Sequence, residues 1–206
     1  MTTPTPLLAP AEPTPGEFGV GARITLAVMR DDFADVIVAA LAETDASGLV
    51  TETDEVSTFV GGDEQSIVRF LVQLVGRAAA SGAHVSATII FSRGCPGEVS
   101  CGSGLTRASA VPTVSPVGRA AAAQWALYPL SDAPSADHMR DIYAAIDYAK
   151  ENGTFAGSRH FVTDLRGDLA DVIATAAAGW VLVGRAVAHV TSHLTVSLNS
   201  PSAVTA

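Results

Sequence analysis

Hydrophobic and polar residues change period several times along this chain. In the first half, apolar residues alternate at Ile24, Leu26 and Val28, as in a strand, and then recur at helical spacing from Phe33 to Leu41. A second helical stripe starts at Ile67, behind a capping residue, Asp63. The predicted order is a strand at 24–28, a helix at 33–41, short strands at 49–53 and 56–61, a helix at 67–78 and a strand at 84–92.

The second half of the chain repeats this order. Residues 63–96 align without a gap on residues 168–201, a shift of 105 positions, and shared hydrophobic periods support the alignment. The predicted elements are a strand at 122–130, a helix ending near Gly153, short strands around Phe155 and at 161–165, a helix at 168–187 and a strand at 188–198.

Each half therefore reads βαββαβ, which is the ferredoxin-like unit. The sequence predicts an α+β fold with a tandem duplication of this unit, in which the helices lie on one face of each antiparallel four-stranded sheet. The predicted parts are a disordered tail at 1–20, a first repeat at 21–96, a linker at 97–121 and a second repeat at 122–202.

Composition and charge narrow the classes of function. Hydrophobic residues make up 48% of the chain and charged residues 16%, which is typical of a globular protein. A formal net charge of −9 argues against a nucleic-acid partner and fits a cationic ligand better than an anionic one. The longest apolar run, 172–184, is too short to span a bilayer, and the N-terminus lacks the features of a secretory signal, so we expect a cytoplasmic protein.

The last strand of each repeat predicts a polar sheet face. If the apolar residues of each strand pack on the helices, the alternate residues face the other side. Such a hydroxylated face can hydrogen-bond a small heterocycle, but it can equally be solvated or packed in a domain or subunit interface. The residues on this face are Ser86, Thr88, Ile90, Ser92, Thr191, His193, Thr195 and Ser197.

Catalytic and metal-binding patterns are weak. Cys95 and Cys101 lack the neighbouring histidine or acidic cluster of a zinc site, and reduced thiols are expected. Cys95 could be imagined as a nucleophile, but it has no evident histidine and carboxylate partners, and its second-repeat equivalent is Ser200. His160 and His193 fall near the predicted open face. The residues alone therefore predict a duplicated module that either binds a small ligand or takes part in an interaction.

Several stretches, in the right order, resemble one known family over roughly residues 22–202. In the first repeat these are 29–33, 39–45, 51–58 and 92–97, and in the second they are 126–130, 152–155 and 198–202. The chain resembles the YkoF-like thiamin/hydroxymethylpyrimidine-binding family. The resemblance implies a homodimer whose repeats each bind the pyrimidine moiety of thiamin or its hydroxymethylpyrimidine precursor. It also implies a role in vitamin salvage and uptake with a link to a transporter, no chemistry on the ligand and no cofactor.

Ligand-binding residues are predicted by joining these stretches to the strand faces. A carboxylate such as Asp54 or Asp164 could accept from the pyrimidine amine. The family's Tyr-Pro pair is present as Tyr128-Pro129, but Ala27-Val28 replaces it in the first repeat, so the two sites are expected to differ. The predicted site residues are Thr53, Asp54, Ser57, Thr58 and Ser92 in the first repeat, and Tyr128, His160, Thr163, Ser197 and Asn199 in the second.

Two other functions stay open at this point. One is an ACT-like regulatory module that senses another small metabolite, such as an amino acid. The other is an enzyme that uses Cys95 or His160. A panel of ligands separates the first alternative, and turnover that is lost on substitution of either residue would reveal the second.

Overall fold

The computed structural model describes residues 12–101, 105–131 and 137–202. Within these residues the chain forms two successive sets of four strands and two helices. The first set is β1 (Gly21–Val28), α1 (Phe33–Glu43), β2 (Val50–Thr53), β3 (Thr58–Gly61), α2 (Glu64–Ala79) and β4 (Val85–Arg93). The second set is β5 (Ala120–Leu130), α3 (His138–Glu151), β6 (Phe155–Arg159), β7 (Val162–Asp168), α4 (Leu169–Val183) and β8 (His189–Leu198).

The strands form one continuous antiparallel sheet in the order β2-β3-β1-β4-β8-β5-β7-β6. Each repeat supplies four neighbouring strands, and the repeats join where β4 pairs with β8, with Val85 opposite Leu198 and Arg93 opposite Val190. The α+β fold and the duplicated ferredoxin-like unit are thus confirmed. The joining of the two sheets through their β4 and β8 edges was not predicted.

One hydrophobic core serves both repeats. Along the helical layer, α1 packs on α2, α2 on α4 and α4 on α3. Most of α4 is buried, because it lies between two other helices and the sheet. Beneath it, Trp125 of β5 donates its indole N–H to Ser192 Oγ at 2.8 Å, so a polar atom in the core has a partner. We call the opposite side of the sheet the open face.

The segment before the first repeat differs from the prediction. Residues 12–20, predicted as part of a disordered tail, pack on the first repeat. Phe18 is 1% exposed, and its carbonyl accepts a hydrogen bond from the N–H of Gly94 at 2.9 Å. The rest of the predicted tail, 1–11, lies outside the described residues. In the predicted linker, Thr113 exchanges two 2.9 Å hydrogen bonds with Gln65 of α2, so this part of the linker follows the helical layer.

A cluster of charges is buried where the linker meets α2 and β4. Arg93 is fully buried and Glu64 is 4% exposed. Nη1 of Arg107 lies 2.8 Å from Oε1 of Glu64, and Nη1 of Arg93 lies 3.4 Å from the same oxygen. Burial lowers the pKa of Arg93 to about 10, although the nearby Glu64 carboxylate opposes this shift. Glu64 therefore compensates two arginines in the interior.

Candidate ligand-binding cleft

The open face has the predicted polar character. Along β4 and β8, the residues that point towards the helices are buried, and the alternate residues are half-buried or exposed. This confirms the assignment of strand faces, since residues two apart share one side of a sheet. The open face thus presents hydroxyl groups of both repeats side by side, with Thr88 opposite Thr195 and Ser86 opposite Ser197.

A cleft of about 800 Å³ lies on the open face of the first repeat. We call it the first-repeat cleft. Its floor is formed by open-face residues of β1, β3 and β4, and its walls by β2 and by the segments at 15–19 and 95–98. The lining includes Gly21, Arg23, Phe59, Gly61, Ile90 and Ser92 on the floor, and Pro15, Gly16, Val50, Glu52, Cys95 and Glu98 on the walls.

The ring of Phe59 lies directly on two glycines of the floor. A Cβ atom on Gly21 would stand 2.8 Å from Cε2 of Phe59, and one on Gly61 would stand 3.0 Å from its Cζ. Only glycine at these positions lets the ring lie this close to the backbone. Phe59 is half-buried, so the cleft contains a flat aromatic surface of the kind on which a planar heterocycle stacks.

Arg23 is held beside this ring by the β2–β3 turn. Its Nη1 donates to Oδ2 of Asp54 at 3.1 Å and to Oγ of Ser57 at 2.8 Å, and its guanidinium lies 5.9 Å from the centre of the Phe59 ring. Asp54 also accepts from the backbone N–H groups of Ser57 and Val56, at 2.8 Å each. These backbone hydrogen bonds, Ser57 first, and then Arg23 keep the pKa of Asp54 below its usual value. Asp54 is therefore an anchor for Arg23.

Two other carboxylates of the cleft, Glu52 and Glu98, are not held by hydrogen bonds or ion pairs to described residues as Asp54 is. Within the part of the chain that the structure describes, the side chains of Glu52 and Glu98 make no hydrogen bond or ion pair. Glu52 lies directly opposite Phe59 in the β2–β3 ladder. Glu98 approaches Gly19 so closely that a Cβ atom there would lie 2.8 Å from its own Cβ, and Gly19 has a φ of +62°. Glycine at this turn thus lets Glu98 reach the cleft.

The first-repeat residues predicted from the sequence separate into two groups. Ser92 lines the cleft, and Asp54 and Ser57 adjoin it through Arg23. Thr53 and Thr58, by contrast, lie on the helix side, where their hydroxyls are 3.0 Å apart and Thr58 is 7% exposed. We correct the prediction for these two threonines, because successive side chains of a strand point to opposite faces.

The predicted residues of the second repeat do not come together. Tyr128 is 48% exposed on the open face, opposite Thr191, whereas Thr163 is 7% exposed on the helix side, opposite Trp125. His160 is exposed in the β6–β7 turn with a φ of 34°. The Oγ of Ser197 lies 3.0 Å from Nε2 of His84, across the junction between the repeats.

Asn199 has a structural role in place of the predicted ligand contact. Its side-chain amide donates to the carbonyls of Ala79 and Ala83 at 3.0 Å each, and its φ is 54°. Asn tolerates this left-handed conformation better than most residues. Asn199 therefore fastens the end of β8 to the α2–β4 connection, and we remove it and Thr163 from the candidate site.

Most lining residues of the cleft were missed, among them four that matter for the proposals below: Arg23, Glu52, Phe59 and Glu98. Alternation along β1 could have indicated Arg23, because it is flanked by Ala22 and Ile24, which point to the core. Sequence reasoning assigned faces only along the last strand of each repeat. No local signal places Glu98, which reaches the cleft through its contact with Gly19.

A second cavity, of about 650 Å³, lies beyond the 94–99 segment, and its lining is polar and apolar in about equal parts. It contains His138 and His189 together with Leu105, Pro129 and Leu130. None of the ten predicted site residues lines it. The first-repeat cleft is therefore the better candidate for the predicted ligand.

Comparison with known proteins places the chain in a family. A family model described as the YKOF-related family matches residues 19–98 and again residues 120–203. The chain belongs to the YKOF-related family. It is also 34% identical over 185 residues to YkoF of Bacillus subtilis (strain 168), which is provisionally named an HMP/thiamine-binding protein; the match covers 88% of this chain and 91% of YkoF. Membership confirms the resemblance noted in the sequence, and the two matched segments follow the two repeats of the YKOF-related fold.

Other chemical groups add little to the candidate site. Cys95 lines the cleft as a free thiol, and the described lining contains no histidine. Across the described ranges, no three His, Cys, Asp or Glu side chains are grouped so that they could hold a metal ion. Of the helices that the structure describes, none combines the length and hydropathy needed to cross a membrane.

Proposed function

We propose that this protein binds thiamin or its hydroxymethylpyrimidine moiety, without chemical change to the ligand, in the first-repeat cleft. The observation that carries the proposal is the ring of Phe59, which lies on the Gly21 and Gly61 backbone with Arg23 and Ser92 nearby. Membership of the YKOF-related family supports the same class of ligand, since one relative is provisionally named for HMP and thiamine.

The chemistry of an aminopyrimidine suits these groups. Its ring face stacks on Phe59, and its ring nitrogens accept hydrogen bonds from donors such as Arg23 or the Ser92 hydroxyl. Its exocyclic amine donates to a carboxylate or hydroxyl oxygen of the wall. Because Asp54 and Ser57 hold Arg23, they position a donor and are not direct ligand contacts in this proposal.

The resemblance to the family also suggests a biological role for this binding. We propose that the protein acts in salvage or uptake of vitamin B1 precursors in the cytoplasm, as a homodimer that hands its ligand to or from a transporter. The second repeat is a weaker candidate site, with Tyr128 and Ser197 on its open face. No catalytic step and no cofactor are part of this proposal.

Calorimetric titration tests the ligand class. Thiamin and hydroxymethylpyrimidine are each expected to bind with dissociation constants on the order of 1–500 μM, and the isolated thiazole fragment is not expected to bind. A panel of amino acids is titrated in parallel, because binding there in place of the pyrimidines would support the ACT-like alternative. Heat with thiazole alone would contradict recognition through the pyrimidine ring.

The variant Gly21→Leu locates the binding. The added side chain takes the space that Phe59 now occupies, so the stacking surface is lost and pyrimidine binding at this cleft is expected to disappear. Gly97→Ala is the control, since Gly97 itself does not line the cleft and a Cβ atom there meets nothing within 4 Å. Unchanged binding by Gly21→Leu, with a circular-dichroism spectrum like that of the parent, would place the ligand elsewhere.

A further inference from the structure

The first-repeat cleft carries more negative than positive charge. Four charged residues line it: Arg23, Glu52, Asp63 and Glu98. Arg23 is compensated by Asp54, with which it forms an ion pair of 3.1 Å. The carboxylate of Asp63 accepts from the N–H of Ser66 and so caps α2. Glu52 and Glu98 therefore remain as the charges that are free to act on a ligand.

These two carboxylates stand on different walls. Glu52 is the cross-strand neighbour of Phe59, so their Cβ atoms are roughly 5 Å apart. Glu98 belongs to the 95–98 segment and is brought in by its contact with Gly19. Both residues line the cleft in which a ring stacked on Phe59 would lie.

We propose that this cleft selects cationic, unphosphorylated ligands, and that Glu52 and Glu98 are the residues that determine this selectivity. The inference rests on the function proposed above. Thiamin carries a thiazolium cation, hydroxymethylpyrimidine is neutral, and phosphorylated thiamin carries added negative charge. The cleft therefore prefers thiamin to hydroxymethylpyrimidine and disfavours thiamin monophosphate.

Elementary electrostatics sets the size of the effect. A carboxylate about 5 Å from a cation raises its affinity roughly fourfold at the dielectric constant of water, and more in a cleft that excludes part of the solvent. Two carboxylates together give about tenfold or more. Because both side chains are reached by solvent, salt screens the attraction, and the preference should weaken as ionic strength rises.

The test compares two double variants that each remove two negative charges. Glu52→Gln with Glu98→Gln alters the cleft, whereas Asp31→Asn with Glu151→Gln alters exposed residues outside its lining. Affinities for thiamin, hydroxymethylpyrimidine and thiamin monophosphate are measured by calorimetry at 20 mM and 300 mM sodium chloride. Repeating the titrations in Gly21→Leu isolates binding at this cleft.

We expect the cleft variant to bind thiamin about tenfold more weakly and hydroxymethylpyrimidine within about twofold of the parent, and to bind thiamin monophosphate more tightly. The control variant should match the parent. If hydroxymethylpyrimidine binds but the cleft variant keeps the parent's thiamin affinity, the selectivity is refuted while the proposed function stands. An equal loss in both variants would also refute it, because net charge would then explain the effect. If no pyrimidine binds to the parent, the proposed function fails and this inference fails with it.

Discussion

In the first repeat, the residue of β3 that faces the open side is Phe59, whereas the equivalent residue of β7 is Asp164. The strand registers fix this equivalence, because Gly21 pairs with Ser92 as Ala122 pairs with Ser197. Other open-face positions differ in the same way. Arg23, Glu52, Gly61 and Ile90 of the first repeat correspond to Gln124, Gly157, Arg166 and Thr195 of the second.

Two polar groups on the open face of the second repeat find partners inside the protein. Asp164 pairs with Arg159 at 3.0 Å, and Ser197 lies 3.0 Å from His84. The first repeat instead keeps an aromatic surface in an open cleft, together with two carboxylates that have no partner among the described residues. After a duplication, core packing restricts which residues can be accepted on the helix side of the sheet. Side chains on the open face are not restricted in this way and can diverge. Residues at equivalent open-face positions of the two repeats therefore need not bind the same ligand.

The largest effect is expected on the helix side, where the first repeat buries charged residues and the described residues of the second repeat include no buried charge. Arg93 and Glu64 correspond to Leu198 and Leu169, both at most 2% exposed. Glu64→Leu leaves two arginines without their carboxylate and should lower the free energy of unfolding by about 3–5 kcal/mol. Adding Arg93→Leu copies the second repeat and should recover part of this loss. Urea unfolding measures both variants.

An exposed ion pair provides the control for this prediction. Glu43 lies 2.9 Å from Arg77, but both side chains are largely solvent-accessible. Glu43→Leu should therefore cost less than about 1 kcal/mol. If Glu64→Leu costs no more than this, the buried cluster does not stabilise the first repeat in the way described.

The next largest difference concerns the caps of α2 and α4. Asp63 accepts one backbone hydrogen bond, from Ser66, whereas Asp168 accepts four. Asp63→Ala should cost about 1 kcal/mol, as a typical cap does, and Asp168→Ala about 2–3 kcal/mol. Equal costs, measured by urea unfolding at pH 7, would contradict a role for Asp168 in holding the chain before β5.

The same two carboxylates make stability depend on acid. Burial alone would raise their pKa values, but backbone hydrogen bonds, joined at Asp63 by the Ser66 hydroxyl and Arg69, outweigh it and hold both below the ordinary range. A lowered native pKa gives stability that is complete above the unfolded value of about 3.9 and is lost as the pH falls through the native value. Asp168→Ala should therefore flatten the loss of stability below pH 4 more than Asp63→Ala does.

Exchange of equivalent open-face residues between the two repeats tests whether these residues cause the difference in ligand binding. Phe59→Asp, the second-repeat residue, should lower the affinity for neutral hydroxymethylpyrimidine roughly five- to 150-fold, because stacking on an aromatic ring contributes about 1–3 kcal/mol per base. Phe59→Tyr keeps the ring and should bind like the parent. Asp164→Phe should create no new site, since Ala122 and Arg166 stand where the first repeat has glycines. Calorimetry of the three variants decides between these outcomes, and tight binding by Phe59→Asp would exclude stacking.

Much of the fold follows from the sequence. When one face of a helix or strand is buried, apolar residues recur at the spacing of that element, and this spacing is visible in the sequence. The stripe from Ile67 to Ala78 and the alternation along β4 both predicted elements that the structure contains. No comparable spacing of side chains predicts that β4 pairs with β8. The junction forms through backbone groups that every residue has, so no side-chain pattern distinguishes this pairing from an open edge.

The candidate site was less predictable, for a related reason. Ser92 was found because β4 alternates over nine residues, long enough to fix which face it occupies. Strands β2 and β3 have four residues each, and the order Thr58-Phe59-Val60-Gly61 gives no clear alternation of polar and apolar residues. Phe59 resembles a core residue in sequence. Only its contact with Gly21, which lies far away in the chain, shows that its ring lines a cleft.

The smallest expected effect separates the two histidines that begin or precede the last strands. His189 is half-buried, and burial lowers its pKa, so the folded protein favours its neutral form. The unfolded chain then takes up the proton first, and stability is highest above pH 6.5 and declines as the pH falls below it. His189→Gln should reduce the slope of stability against pH between 7 and 5. His84→Gln, at the equivalent position, still holds His189 and should keep that part of the slope; urea midpoints that fall equally steeply in His189→Gln would show that another group titrates.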